Sequence, residues 1–325
     1  MTVDIVTMGE MLIDFVPLKK GLALKDNEGF LRMPGGAPAN VAVGTAKLGI
    51  KSAFLGKVGV DPFGDLLIDT LRENNVNVEG IVQSNKAKTT LAFVTLDEKG
   101  DRDFTFYRDP GADMLYDWDE VNLKLLKKAR VFHHGSISLI DEPVRSTTLR
   151  MAETANDNGL IVSYDPNLRI PLWPDLKQAE KWIKKGLKTA DLLKISEEEL
   201  EFITGESSLK KGARKVMAEY NVKLIFITLG AEGSYFYNGL TEGMVSGFKV
   251  NAQDTTGAGD AFTAGILAQL INEDIDDLSR LDNITLKEML KFSNAVGAIT
   301  TTGKGAISSL PNLNSVRKFL KKTKI

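Results

Sequence analysis

The feature that most narrows the folds open to this chain is an alternation, from about residue 130 onward, of short β-branched runs with helix-length amphipathic segments. The runs Arg130-Val131-Phe132-His133-His134, Leu160-Ile161-Val162-Ser163-Tyr164, Asp191-Leu192-Leu193-Lys194-Ile195 and Lys223-Leu224-Ile225-Phe226-Ile227-Thr228 read as strands. Strands separated by helices build βαβ units, and such units stack into an α/β fold with a mainly parallel sheet. Earlier in the chain Asp61-Pro62, followed by Leu66, Leu67, Thr70 and Leu71, supplies an N-cap, a proline at the first helical position and one apolar face.

Residues 89–108 follow a different rule. Thr90 to Leu96 and Asp103 to Arg108 flank the polar turn Asp97-Glu98-Lys99-Gly100-Asp101, which predicts an antiparallel hairpin. The extended stretches Met11 to Phe15 and Phe30 to Arg32 could pair with it in a small sheet that covers a substrate. The expected organisation is one domain over 1–325 with an interleaved lid from segments near 11–34 and 89–110.

Bulk properties exclude several function classes. With 43% hydrophobic and 26% charged residues the chain can bury a large core. A formal net charge of −2 offers nothing general to a nucleic-acid backbone, so a small molecule is the expected partner. Cysteine is absent, which excludes thiolate metal sites, and the only histidines, His133 and His134, are adjacent rather than spaced for a helical zinc site. No stretch approaches the roughly 18 apolar residues of a membrane span, and no basic stretch leads into an apolar run at the start. The expected location is the cytoplasm, with no membrane partner.

The chemistry concentrates in Asp254-Thr255-Thr256-Gly257-Ala258-Gly259-Asp260, which runs into a segment rich in small and apolar residues. Glycines at a helix start let backbone amides approach an anion, and the helix dipole favours negative charge there. A phosphate fits that position. The Asp260 carboxylate would then stand beside a transferring phosphoryl group, where a general base is the useful role, or else it is a first-turn acid on a tight turn. Neither a P-loop nor a Gly-x-Gly-x-x-Gly fingerprint is present.

Together with Gly35-Gly36-Ala37-Pro38-Ala39-Asn40, that segment resembles the two signatures of the ribokinase-like carbohydrate kinase family, over essentially the whole chain. The resemblance implies a doubly wound three-layer α/β/α fold with a small β-sheet lid. It implies an ATP-dependent sugar kinase of the fructokinase branch, because Phe106 to Leu115 looks like the fructokinase form of the lid and following loop. The expected reaction is transfer of the γ-phosphate of Mg-ATP to the 6-hydroxyl of D-fructose. Asp260 is the expected base, and the Gly257, Ala258 and Gly259 amides stabilise developing charge. Other small sugars such as ribose or 2-keto-3-deoxygluconate, and a sugar sensor without turnover, are the alternatives.

The same resemblance distributes the remaining roles. Sugar-side residues are Asp14, Gly35, Gly36, Asn40 and Arg108, with Asn167 and Arg169 of Asp165-Pro166-Asn167-Leu168-Arg169 toward the transferred phosphate. Read physically, Asn40 could instead cap a helix from Val41 to Leu48, and Arg108 could be a solvated strand-end cation. Lys194, Thr228, Gly230, Gly233 and Asn294 fall on the nucleotide side. Glu199 is expected to act indirectly on magnesium, although Ser196 stands where the family has an asparagine. Potassium is expected near Asp254, Thr256 and the loop from Thr300 to Ser309. A homodimer is compatible with this reading.

Overall fold

The computed structural model describes residues 3–96, 102–275 and 277–323. The proposed turn Asp97–Asp101 lies outside them. The strands are β1 (Ile5–Met8), β2 (Leu12–Pro17), β3 (Phe30–Gly35), β4 (Ser52–Gly59), β5 (Asn77–Ser84), β6 (Leu91–Leu96), β7 (Arg102–Tyr107), β8 (Val131–His134), β9 (Ile161–Tyr164), β10 (Leu192–Ser196), β11 (Leu224–Thr228), β12 (Gly233–Tyr237) and β13 (Glu242–Ser246).

Nine of these form one sheet in the order β13-β12-β11-β10-β9-β8-β1-β4-β5. Neighbours from β11 through to β5 pair in parallel, and β12 and β13 add an antiparallel edge. Because side chains alternate across a strand, the sheet is buried on both faces. Ile5, Val131, Leu192 and Leu224 enter the core on one side. Their successors Val6 and Phe132, and Leu193 and Ile225, enter cores on the other. The chain leaves β1 first toward β4 and β5 and afterwards, through β8, toward β11. That reversal beside β1 is where open α/β sheets bind ligands, outside the carboxyl ends of the strands.

The other four strands form a small sheet ordered β3-β2-β6-β7, with β6 and β7 antiparallel and β2 joined to β3 antiparallel and to β6 in parallel. Phe15 stacks on Phe93 at 4.9 Å between ring centroids, and Phe30 meets Phe93 edge-on at 5.4 Å. The predicted hairpin and its partner strands are thus one element standing off the large sheet. The helix Pro62–Glu73 starts as expected: Asp61 Oδ1 accepts from the amides of Phe63 at 3.1 Å and Gly64 at 2.9 Å, and Leu67 and Leu71 are buried.

Candidate active site

Two helices bring the candidate base to its first partner. The helices Ala37–Lys47 and Ala258–Asn272 pack so closely that a Cβ on Gly44 would lie 2.6 Å from Ala264 Cβ. One helical turn earlier on each, Asn40 and Asp260 therefore face each other, and Asn40 Nδ2 donates to Asp260 Oδ2 at 2.7 Å. The helix begins at Ala37 with Gly36 as N-cap, so Asn40 is inside its first turn and caps nothing. The long run of small and apolar residues after Asp260 is explained as well, since nearly every side chain from Ala261 to Leu270 is buried.

Gly257 is the N-cap of the Asp260 helix, at φ 75, where a side chain would also strike Ala306 Cβ at 2.5 Å. Only glycine meets both demands. The amides that follow open the helix with no side-chain cap, the arrangement that binds anions. Lys194 adds charge to that opening: a Cβ on Gly259 would lie 3.0 Å from Lys194 Nζ. Burial raises the Asp260 pKa above the usual aspartate range, against the Asn40 hydrogen bond and the cations Lys194 and Arg169, which lower it. A buried carboxylate of raised basicity beside an anion site can accept a proton from an attacking hydroxyl.

Lys194 lies between the buried Leu193 and Ile195 in β10 and is held by Asp165, its Nζ 3.1 Å from Oδ2 and 3.3 Å from Oδ1. Thr263 Oγ1 donates to Asp165 Oδ2 at 3.3 Å, tying β9 to the Asp260 helix. Burial pushes the Asp165 pKa up while Lys194 opposes it. For Lys194, burial acts downward, but Asp165, Glu199 and Asp260 prevail and raise it, so the ammonium stays charged. Asp165 was not among the expected site residues. The signal was a lysine within Leu192-Leu193-Lys194-Ile195, since a charge on a buried strand requires a buried partner.

The other expected residues fall into groups. Asn167, Arg169, Lys194 and Glu199 line one groove of about 360 Å³ beyond the carboxyl ends of β9 and β10. Asn167 is held at φ 45, which bends the loop there. Glu199 Oε1 accepts from Leu168 N at 2.6 Å and Oε2 from Ser196 N at 2.9 Å, while Ser196 Oγ accepts from Glu199 N. Ser196 is therefore the N-cap of the helix Glu197–Thr204, and Glu199 holds the Arg169 loop against it. Thr228 ends β11 opposite Ser196, followed by Gly230 in a short turn. Gly233 begins β12, where a Cβ would lie 2.1 Å from the Val245 carbonyl, so pairing with β13 accounts for it. Asn294 accepts from Ser234 Oγ at 2.8 Å and donates to Val245 O at 3.1 Å, fastening its helix to the sheet edge.

Asp14, Asp254 and Thr256 line a second cavity, of about 160 Å³, between the small sheet and the loops that open the Asp260 helix. Gly35 and Gly36 let the chain pass beneath: a Cβ on Gly35 would lie 2.5 Å from Asp14 Oδ2, and one on Gly36 2.4 Å from the Glu10 carbonyl. Asp254 Oδ1 accepts from Thr256 N at 2.8 Å and Oγ1 at 2.6 Å, and Oδ2 from Gly305 N at 2.8 Å. Arg108 does not line this cavity and is not a solvated cation. Its side chain is 5% exposed and ion-paired to Asp113. His133 and His134 are buried in β8, and burial drives their pKa values down to about 3 and about 4, so both are neutral packing residues.

Residues 3–313 match the pfkB family carbohydrate kinase. Fructokinase-2 of Solanum lycopersicum is 49% identical over 318 residues, covering 98% of this chain and 96% of the relative. The structure of a fructokinase from Xylella fastidiosa with bound ATP superposes with a TM-score of 0.89 at 35% identity, over 98% of both chains. A double mutant of fructokinase from Vibrio cholerae O395, in a form with fructose, ADP and a potassium ion bound, gives a TM-score of 0.86 at 34% identity, over 98% of this chain and 99% of that one. With a family match that spans nearly the whole sequence, and an uncapped helix start carrying a buried aspartate at the carboxyl edge of a doubly wound sheet, this chain belongs to the pfkB family of carbohydrate kinases.

Proposed function

We propose that the protein is an ATP-dependent fructokinase that converts D-fructose to fructose 6-phosphate and ADP. The observation that carries the chemistry is the Asn40–Asp260 hydrogen bond of 2.7 Å at the uncapped start of the Asp260 helix. It orients one carboxylate oxygen and leaves the other to take the proton of the 6-hydroxyl. The Gly257, Ala258 and Gly259 amides, with Lys194 beside them, meet the charge that develops on the transferring phosphoryl group. Arg169 supplies a second cation, close enough to act on Asp260. Asp14, Gly35, Gly36 and Asn40 hold the sugar, and Arg108 acts on the sugar side from outside the cavity, through its ion pair at the base of the small sheet. Asn167 and Arg169 attend the phosphate, and Thr228, Gly230, Gly233 and Asn294 shape the nucleotide side. The choice of fructose rests on the similarity to proteins named fructokinase.

No group of three or more metal-ligating side chains occurs among the described residues. The donor set therefore fits a magnesium ion that arrives on the nucleotide, with Glu199 acting at one remove by holding the Leu168 amide. When bound, magnesium neutralises charge on the β- and γ-phosphates. Asp254 draws the loop before the Asp260 helix onto the Gly305 loop, and oxygen donors gathered in this way suit a hard monovalent cation such as potassium. No helix among the described residues is long and apolar enough to cross a membrane. The cysteine-free sequence suits a reducing compartment, and we place the enzyme in the cytoplasm.

The test is ADP release from Mg-ATP over a panel of small sugars including D-fructose, D-ribose and 2-keto-3-deoxygluconate, in potassium and in a non-coordinating organic cation. D-Fructose should give the highest kcat/KM, fructose 6-phosphate should be the product, and potassium should raise the rate. A higher kcat/KM with another sugar overturns the fructose assignment. Absence of ADP release with every sugar overturns the kinase reading, and binding of a sugar without turnover would favour the regulator.

A further inference from the structure

The chain passes between the large and small sheets four times, between β1 and β2, after β3, between β5 and β6, and after β7. All four passages meet at one cluster of buried polar side chains. Glu10, on the first passage, accepts at Oε1 from Ala37 N on the second at 2.9 Å. Ile13 N, in β2 just beyond the first passage, donates to the Thr90 carbonyl on the third at 3.1 Å. Thr90 Oγ1 donates to Asp113 Oδ1 at 2.5 Å, joining the third to the fourth. On the fourth, Arg108 donates to Asp113 Oδ2 from Nε at 2.8 Å and from Nη2 at 2.7 Å. Burial raises the Glu10 pKa to about 7, and the charges of Arg108 and Asp113 reach it too.

A buried ion pair is a poor device for stability alone, because desolvation offsets most of the attraction, but its directional bonds specify one arrangement. Here the arrangement specified is that of the small sheet over the cavity. Asp14, Met33, Val94 and Phe104 of that sheet wall the cavity from one side, and Asp254 and Lys304 from the other. The groove with Lys194 is lined by β10, the loop after β9 and the helix Glu197–Thr204; no small-sheet residue lines it, and the small sheet reaches its edge at Phe104, whose ring centroid lies 6.0 Å from the Arg169 guanidinium. A slackened junction would therefore deform the cavity beside Asp14, on the proposed sugar side, more than the groove with Lys194.

We propose that Asp113 is a positioning residue of this kinase, fixing Arg108 at the junction of all four passages and so setting the small sheet over the sugar. The inference rests on the sugar-kinase reading above. Asp113 acts at one remove and touches no substrate. Its two oxygens are divided, one to Thr90 and one to Arg108, so it couples the strands β6 and β7 at their common base.

The experiment is a double-mutant cycle of Asp113→Asn and Arg108→Met, read as separate KM values for fructose and ATP. Asp113→Asn keeps the shape but turns an amide toward the guanidinium. It should raise KM for fructose by about tenfold or more, leave KM for ATP within about twofold, and add little further once Arg108 is methionine. Thr90→Val, which removes only the hydroxyl, should move the same constant in the same direction by less. Circular dichroism and melting establish that the variants are folded, and Thr90→Val carries the test if Asp113→Asn is not. If Arg108→Met leaves the fructose KM unchanged, the placement of Arg108 on the sugar side fails and takes this inference with it. If Arg108→Met raises that KM but Asp113→Asn and Thr90→Val do not, or Asp113→Asn acts equally in the Arg108→Met background, this inference fails alone.

Discussion

On the proposed reading of Asp260 as the base, replacing it by asparagine separates proton transfer from everything else the site does. The amide oxygen can still accept from Asn40 Nδ2, whose bond to Asp260 Oδ2 is 2.7 Å, so the first turn keeps its shape. What disappears is the proton acceptor. A positioned general base contributes about 10²–10⁴-fold, or roughly 3–5 kcal/mol of barrier at 1.36 kcal/mol per tenfold. The structure selects the upper part of that range. Asp165, the other buried carboxylate that acts on this cluster, is ion-paired to Lys194 and hydrogen-bonded by Thr263, so no substitute base stands ready. Turnover of fructose should fall by at least about 10³-fold, with the nucleotide KM little changed.

Stability supplies the control for the same substitution. Burial raises the folded-state pKa of Asp260 above its unfolded value, so the folded chain holds that proton more tightly. Stability from this group is then lost as pH rises from the unfolded to the folded pKa, and the ionised form is unfavourable to folding at neutral pH. The amide should leave Tm at neutral pH equal or higher, with the difference vanishing in acid. In the parent enzyme the acidic limb of kcat/KM should lie above the ordinary aspartate value of about 3.9. A folded Asp260→Asn protein that phosphorylates fructose within about tenfold of the parent rate would refute the assignment of Asp260 as the base.

Two further substitutions test the anion site. Gly257→Ala places a Cβ at φ 75 and 2.5 Å from Ala306 Cβ, so it should destabilise the chain by at least about 1 kcal/mol, measured by denaturant titration. An unchanged midpoint would mean that the helix start yields to a side chain and that glycine is not required there. Lys194→Met should raise the ATP KM and, by leaving Asp165 buried without its cation, destabilise by about 3–5 kcal/mol at neutral pH, less in acid where Asp165 is protonated. Loss of affinity for fructose but not for ATP would move Lys194 out of the nucleotide side.

What was legible in the chain was whatever short-range rules determine. The strands from β8 to β11 are β-branched runs, the small-sheet hairpin shows period-two alternation, and Asp61-Pro62 announces a helix, all from neighbouring residues. The Gly257-Ala258-Gly259-Asp260 turn was readable because a positive φ followed by a helix restricts the choice of residues. Partners set by distant packing were not. Asn40 and Asp260 are 220 positions apart, and they meet because Gly44 lets one helix close on Ala264 of another, a contact with no trace in either local sequence. The burial of Arg108 against Asp113, the Asp165 counter-charge to Lys194, and the sheet-edge duties of Gly233 and Asn294 were likewise decided by tertiary structure. The physical reason is that a residue type states which bonds a side chain can make, whereas burial and the partner it finds depend on which distant segment packs against it.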